Sequence, residues 1–321
     1  MIRLDLSKCK GFHNHRSGWG YCINSLRPLH SRSGIFVDDF MERSFAWEIG
    51  EYFKTNPYEL PYKREWIGFL HNPPNVPEWF DFINSPQAIL NRGVFKKSLE
   101  SCKALVTLSD YLKDWLQPQV SVPVISVKHP TERSEHKWKP ELFFCNKRKV
   151  VQLGYWLRKM FAICELRTGN KWQKHWLPSD ESYSTALMSI EERTKLSFWE
   201  SRYKWSGVHR HGHISNSEFD DMLSSCVIFL DLYDSSANNA IVEAVARNTP
   251  VLVNKIPAVV EYLGENYPLY FDNIDEASDK LTDDDLIISA HEYLKEMSKP
   301  WLSGKYFATD LEKKLLGVIN A

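Results

Sequence analysis

No stretch of this chain approaches the roughly 20 consecutive apolar residues that cross a bilayer. Its first ten residues alternate charged with apolar side chains and hold no apolar run of secretory-signal length. A cytoplasmic protein without an integral membrane segment is expected. There is no CxxC pair either. Cys9, Cys22, Cys102, Cys145, Cys164 and Cys226 scatter over both halves. Zinc sites and disulfide frameworks both require clustering, so these read as reduced core thiols. Neither sign of charge is in large excess. The formal net charge is -1; residues 1–133 carry 17 Lys and Arg against 14 Asp and Glu, and the remainder carries 23 against 27. Neither half has the cationic surplus that binding along a nucleic-acid backbone needs. A fixed-period repeat and a low-complexity tract are also missing.

What is present is material for two cores. The chain has 321 residues, 43% of them hydrophobic, enough for two domains of about 150 residues each. Compact apolar runs at 2–6, 35–40, 66–70, 104–108 and 122–127 predict strands. Helical spacing at 19–30 and 111–116 falls between them, with Ser109 placed as an N-cap. Residues 131–149 are polar and contain Pro140, and they read as a linker. The alternation then restarts: strands at 150–153, 208, 227–230 and 251–253, and helices at 160–166, 218–225 and 240–247. Between 166 and about 203 lies a long aromatic and charged stretch without a clear period. Short buried strands alternating with helices predict an α/β fold: two doubly wound parallel domains, 1–133 and 148–299. Ligands of such folds bind at the carboxyl ends of the strands, in the cleft between domains.

The stretch from Asp231 to Phe271 carries the most chemistry. A strand ends in the small-residue loop Ser235-Ser236-Ala237-Asn238-Asn239, where a ligand's phosphates can approach the backbone. A helix then opens near Ala240. Its first-turn N–H groups are expected to be unpaired and partly positive, which suits a diphosphate. Glu243 follows one turn in, placed to accept hydrogen bonds from vicinal hydroxyls such as those of a ribose. No capping residue stands three positions before it, which disfavours a capping-box role. Asn248 ends the helix and Thr249-Pro250 restarts the chain into a strand.

In these residues the sequence resembles the nucleotide-binding domain of the retaining GT-B glycosyltransferases grouped with family 4. Glu243, Ala244 and Asn248-Thr249-Pro250-Val251 stand in the places of that family's second motif glutamate and the turn after its helix. The resemblance implies a ribose contact for Glu243. The family's first glutamate falls at Ser235, a departure that touches the donor sugar's contacts. Residues 150–159 resemble the family's strand, glycine turn and cations: Gly154 is kept, Tyr155 replaces the usual arginine, and Arg158 and Lys159 bring positive charge to the donor diphosphate, whose departing charge must be stabilised. In the first half, His71 at the end of residues 66–70 is implied to face the donor sugar hydroxyls or the reacting centre. Ser109 is a cap first and a ligand contact second. Gly18, Trp19 and Gly20, within Arg16-Ser17-Gly18-Trp19-Gly20, lie where the family places a loop approaching phosphates or acceptor. The resemblance also implies two Rossmann-like domains facing a cleft, with the helical stretch 306–319 packing back on the first domain.

The function expected is therefore transfer of a sugar from a nucleoside-diphosphate sugar to a hydroxyl, with retention. The donor is a substrate; no cofactor and no metal are expected. The acceptor is open between a glycan, a lipid-linked sugar, a protein, a small molecule and modified nucleic acid. A nucleotide-sugar epimerase and a catalytically inactive nucleotide-sugar-binding module are the alternatives, the second kept in view by Ser235. Asp38-Asp39, Asp220-Asp221 and residues 283–285 read as strand-end, capping or solvated acids rather than metal ligands. His209, His211 and His213 would share a strand face but have no evident carboxylate or thiol partner. The tryptophans are mostly core, with Trp19, Trp47 and Trp79 as candidates for stacking on sugar or base.

Overall fold

The computed structural model describes residues 2–11, 18–47, 59–145, 147–178, 181–195, 205 and 207–319. Two compact units emerge. The first comprises Met1–Val76, Asp81–Glu132 and Lys299–Ala321; the second comprises Pro77–Phe80 and Arg133–Ser298.

The first unit is built on β1 (Leu4–Asp5), β2 (Ile35–Asp38), β3 (Trp66–Leu70), β4 (Cys102–Thr107) and β5 (Val124–Ser126), all parallel and in sequential order. Every residue of β3 is buried, as parallel strands covered on both faces must be. The helix expected at 19–30 is shorter, Trp19–Ser25, with a 3-10 turn at Arg27–Leu29. Pro28 explains the break, because it has no N–H to continue the ladder. The Gly304–Ile319 helix belongs to this unit. Its buried stripe Phe307, Leu311, Leu315 repeats every fourth residue, and Lys314 donates to the Ser126 carbonyl at 2.7 Å.

The second unit contains β6 (Arg148–Leu153), β7 (Trp172–Leu177), β8 (Val208–Arg210), β9 (Cys226–Leu230), β10 (Val251–Asn254) and β11 (Tyr270–Phe271). Their order is β11-β10-β9-β6-β7-β8, again all parallel. The chain winds from β6 out to β8, then returns to the other side of β6 and winds the opposite way. β6 and β9 are thus neighbours across the point where the winding reverses, the place where ligands of such sheets bind.

Two segments differ from the sequence reading. Residues 131–149 are not simply a linker: they contain the Pro140–Phe144 helix, and Trp138 is buried with its indole N–H on the Cys226 carbonyl at 2.8 Å. Two anchoring aromatics, Trp138 and Phe143, lie among polar neighbours and escape a composition argument. The stretch after residue 166 hides β7, whose first three residues are only half buried and so break the apolar run. Among the described residues, no helix is long and apolar enough to cross a membrane.

Candidate functional site

The carboxyl ends of β6 and β9 collect the residues singled out after Asp231. After β6 the chain turns at Gly154, whose φ of +72° lies in the left-handed region. A β-carbon there would also sit 3.2 Å from the Arg158 guanidinium carbon, so only glycine fits without displacement. Arg158 folds back under this turn. Its Nε donates to the Leu153 carbonyl at 2.7 Å, one Nη to the Trp156 carbonyl at 2.5 Å, and the other to Asn238 Oδ1 at 3.1 Å. Burial lowers its pKa to about 10, so it stays cationic at neutral pH. The two loops are also joined by backbone: Lys159 N–H to the Asp231 carbonyl at 2.8 Å, and Tyr233 N–H to the Leu157 carbonyl at 2.9 Å. Asn254 clamps the same loop from β10, exchanging hydrogen bonds with both backbone groups of Leu232 at 2.8 and 2.9 Å.

Asn238 is the N-cap of the Asn239–Arg247 helix and accepts from Ala240 N–H at 3.0 Å. This corrects the expectation of an unpaired first turn. Ile241 and Val242 N–H both reach the Asn238 carbonyl at 3.0 Å. Of that turn, the Asn239 N–H alone has no partner among the described residues. Its side chain is exposed, whereas Ser235 and Ser236, earlier in the same loop, are buried. Asn248, with φ of +60°, closes the helix in the left-handed region.

Lys159 Nζ lies 2.8 Å from Asp231 Oδ1 at the end of β9. The pair is close but poorly directed, since Asp231 Oδ1 receives no well-aligned hydrogen bond. Burial pushes the Asp231 carboxyl up, and the Lys159 cation only partly pulls it back. Glu243 is not a solvated helix acid. Its carboxylate pairs with Arg247, whose other Nη meets Asp220 Oδ1 at 2.7 Å, and Arg247 is 2% exposed. Arg158 and the loop from Ser235 to Ala240 are thus brought together, with Glu243 one turn further along the helix on an acid–arginine network.

Several neighbours were not legible beforehand. Asp234, buried and immediately before Ser235, turns its Oδ1 to the Ser235 N–H at 2.8 Å. A carboxylate beside the position of the missing glutamate was the available signal. Glu191 is buried and accepts from Tyr233 hydroxyl at 2.5 Å and Met160 N–H at 3.0 Å. Nothing in its charged surroundings marked it. Trp79 is counted with this unit and meets Tyr233 edge-on at 5.5 Å between centroids.

The carboxyl ends of β2 and β3 carry the first unit's candidates. His71 stacks on Phe40 at 3.9 Å, and its Nε2–H donates to the Asp39 carbonyl at 3.1 Å. That bond fixes the tautomer, and burial lowers the pKa to about 3. The ring is neutral, with Nδ1 as its lone-pair site. Glu42, not singled out from sequence, is fully buried. Its Oε1 accepts from His71 and Asn72 N–H at 2.8 and 2.6 Å, while Oε2 has no partner among the described residues. Burial raises its pKa to about 7. Asp38 takes hydrogen bonds from Tyr62, Ser44 and Phe40, and Asp39 pairs with Arg43 at 2.5 Å.

Trp19 is core rather than a stacking wall: it is 4% exposed, with its indole N–H on Asp39 Oδ2 at 3.2 Å. Gly18 is the N-cap and Gly20 the second residue of that short helix; Arg16 and Ser17 lie outside the described residues. Ser109 caps the Asp110–Leu116 helix through Leu112 N–H at 3.2 Å. His209 and His211 are joined by His175 from β7, whose Nδ1 lies 2.8 Å from His211 Nε2. Among the described residues, no group of three or more His, Cys, Asp or Glu is arranged to hold a metal ion.

Two parallel α/β units of this kind, the second with its switch point between β6 and β9, define the GT-B glycosyltransferase fold with its two Rossmann-like domains. Solved structures of such enzymes superpose on the chain. TarM does so with a TM-score of 0.58 at 15% identity, over 94% of this chain and 58% of that one. Sucrose-phosphate synthase from Thermosynechococcus elongatus gives 0.62 at 12% identity, over 89% and 74%. A UDP-forming alpha,alpha-trehalose-phosphate synthase from Burkholderia xenovorans gives 0.56 at 11%, over 94% and 78%. The chain therefore spans little more than half the length of TarM. No protein-family model and no curated protein sequence matches it.

Proposed function

We propose that the chain is a glycosyltransferase that binds a nucleoside-diphosphate sugar in its second unit and transfers the sugar to a hydroxyl acceptor with retention. The observation that carries this is the Arg158–Asn238 bond at 3.1 Å, which couples the β6 turn to a capped helix N-terminus at the switch point. A half-buried cation and a helix N-terminus at one switch point favour a diphosphate. Lys159 adds a second, movable charge. Such groups supply the stabilisation that a departing nucleoside diphosphate needs without a resident metal. Two of the fold's relatives support this choice of ligand: TarM has been solved with UDP, and a trehalose-6-phosphate structure from E. coli with UDP-2-fluoro glucose.

In this reading Glu243 accepts the donor ribose hydroxyls, and the neutral His71 accepts a hydrogen bond at Nδ1. The working compartment is the cytoplasm. A panel of nucleoside diphosphates tests the donor site by thermal stabilisation. Saturation at about 100 times the dissociation constant adds about 2.7 kcal/mol. If none of UDP, GDP, ADP, CDP or dTDP shifts the melting temperature, the donor site is wrong.

Ser235 favours a second reading, a nucleotide-sugar-binding module without transfer, because a hydroxymethyl replaces the carboxylate implied at that place. Release of free nucleoside diphosphate from a bound donor, with or without acceptor, separates the two.

A further inference from the structure

The second unit's two cations are not equivalent. Arg158 spends three of its five N–H groups on protein oxygens and cannot leave without stranding two backbone carbonyls. Among the described residues Lys159 has one ion contact, with Asp231; its side chain is 46% exposed, and its flexible stem lets the ammonium swing. Asp231 is held at the start of the loop that leads into the capped helix. It is buried, and its Oδ1 lacks a well-aligned donor. The other titratable groups facing it do not replace the lysine. Glu165, from the Ala162–Glu165 helix, repels it. Tyr233, on its own loop, is turned to Glu191 of the Glu181–Lys195 helix.

We propose that Lys159 is a shared cation: it neutralises Asp231 in the free protein and moves to the diphosphate when donor binds, while the Asp231 carboxylate takes one proton from solvent. The inference rests on the donor reading above. Its physical basis is that a buried carboxylate stripped of the cation beside it, next to a newly bound polyanion, is costly to keep ionised. Already in the free protein, burial holds this carboxyl above its ordinary range. The bound state therefore has the higher Asp231 pKa, and donor binding tightens as pH falls through the window between the two values.

Titration calorimetry of the whole chain with UDP, and in parallel with GDP, ADP, CDP and dTDP, tests this. Measurements at several pH values between about 5 and 8, each corrected for protonation of the ligand's own terminal phosphate, in two buffers of different ionisation enthalpy count the protons exchanged. Wild type is expected to take up a measurable fraction of a proton per diphosphate. Asp231→Asn should abolish that uptake and bind about 3- to 10-fold tighter, because the lysine is released in advance. Lys159→Ala should bind about 10-fold weaker, with no linked proton. Diphosphate binding by wild type without proton uptake overturns the inference and leaves the donor reading standing, as does weaker binding by a folded Asp231→Asn. If Asp231→Asn does not fold, the wild-type proton count decides alone. Failure of all five diphosphates to bind overturns both.

Discussion

Arg158 reaches from the β6 turn to Asn238 Oδ1, the same oxygen that caps Ala240 N–H at the head of the Asn239–Arg247 helix. One side-chain oxygen thus serves both the half-buried cation and the helix N-terminus.

Arg158→Ala should cost both stability and ligand. The Leu153 and Trp156 carbonyls lose their charged donor, a loss of about 2–4 kcal/mol in chemical denaturation. Affinity for the nucleoside diphosphate found in the screen should fall at least about 10-fold. Lysine has one compact ammonium in place of a planar fork, so Arg158→Lys should recover little of either. Full diphosphate affinity in a folded Arg158→Ala would remove the residue from the site.

Gly154→Ala tests the turn itself. Its φ of +72° and the guanidinium carbon 3.2 Å from a β-carbon both oppose a side chain. A loss of about 1–2 kcal/mol is expected from the backbone alone. Because the displaced group is Arg158, diphosphate affinity should drop too, and a variant as stable as wild type would refute this account.

Glu243 pairs with Arg247, which Asp220 also holds. Glu243→Gln should raise donor KM with modest loss of stability, since Arg247 keeps one carboxylate. Glu243→Ala should lose about 2–3 kcal/mol of donor binding if two ribose hydroxyls depend on it. A 2′,3′-dideoxyribose donor should then bind wild type poorly, and Glu243→Ala no worse than the natural donor does. Equal binding of both donors by wild type would confine Glu243 to its ion pair.

Glu42 predicts a pH effect in the first unit. Its carboxyl ionises near 4.5 when unperturbed and near 7 in the fold, raised first by burial. Between these values the folded state keeps a proton that the unfolded chain has released. This group's contribution to stability therefore falls as pH rises through that window, by on the order of 3 kcal/mol in total. Glu42→Gln removes the slope, so wild type should lose ground to the variant from pH 4.5 to 7. Parallel melting curves for the two proteins would contradict the buried, protonated Glu42.

Much of the frame was readable in advance because it rests on local physics. Apolar runs over residues 66–70, 227–230 and 251–253 are strands, since short β-rich segments covered on both faces must be hydrophobic throughout. Ser109 was legible as a cap and Asn248 as a helix end, because capping depends on a residue's own neighbours. β7 was not, because its half-buried start carries Gln173 and Lys174. Trp138 was not, because its partner, the Cys226 carbonyl, lies 88 residues away.

The amino-acid sequence by itself determined the alternating α/β pattern, the small-residue loop before a helix, and the cations after Gly154. The tertiary structure decided what those groups do with one another. It reversed the winding between β6 and β9, and so brought residues 154–159 against residues 231–239. It turned Arg158 inward onto carbonyls, set Lys159 on Asp231, and buried Glu42 beneath the His71 turn. Composition and spacing fix which charges a chain carries. Which of them lose water, and which oxygens they meet when they do, depends on strands far apart in sequence, where burial makes each unpaired charge costly.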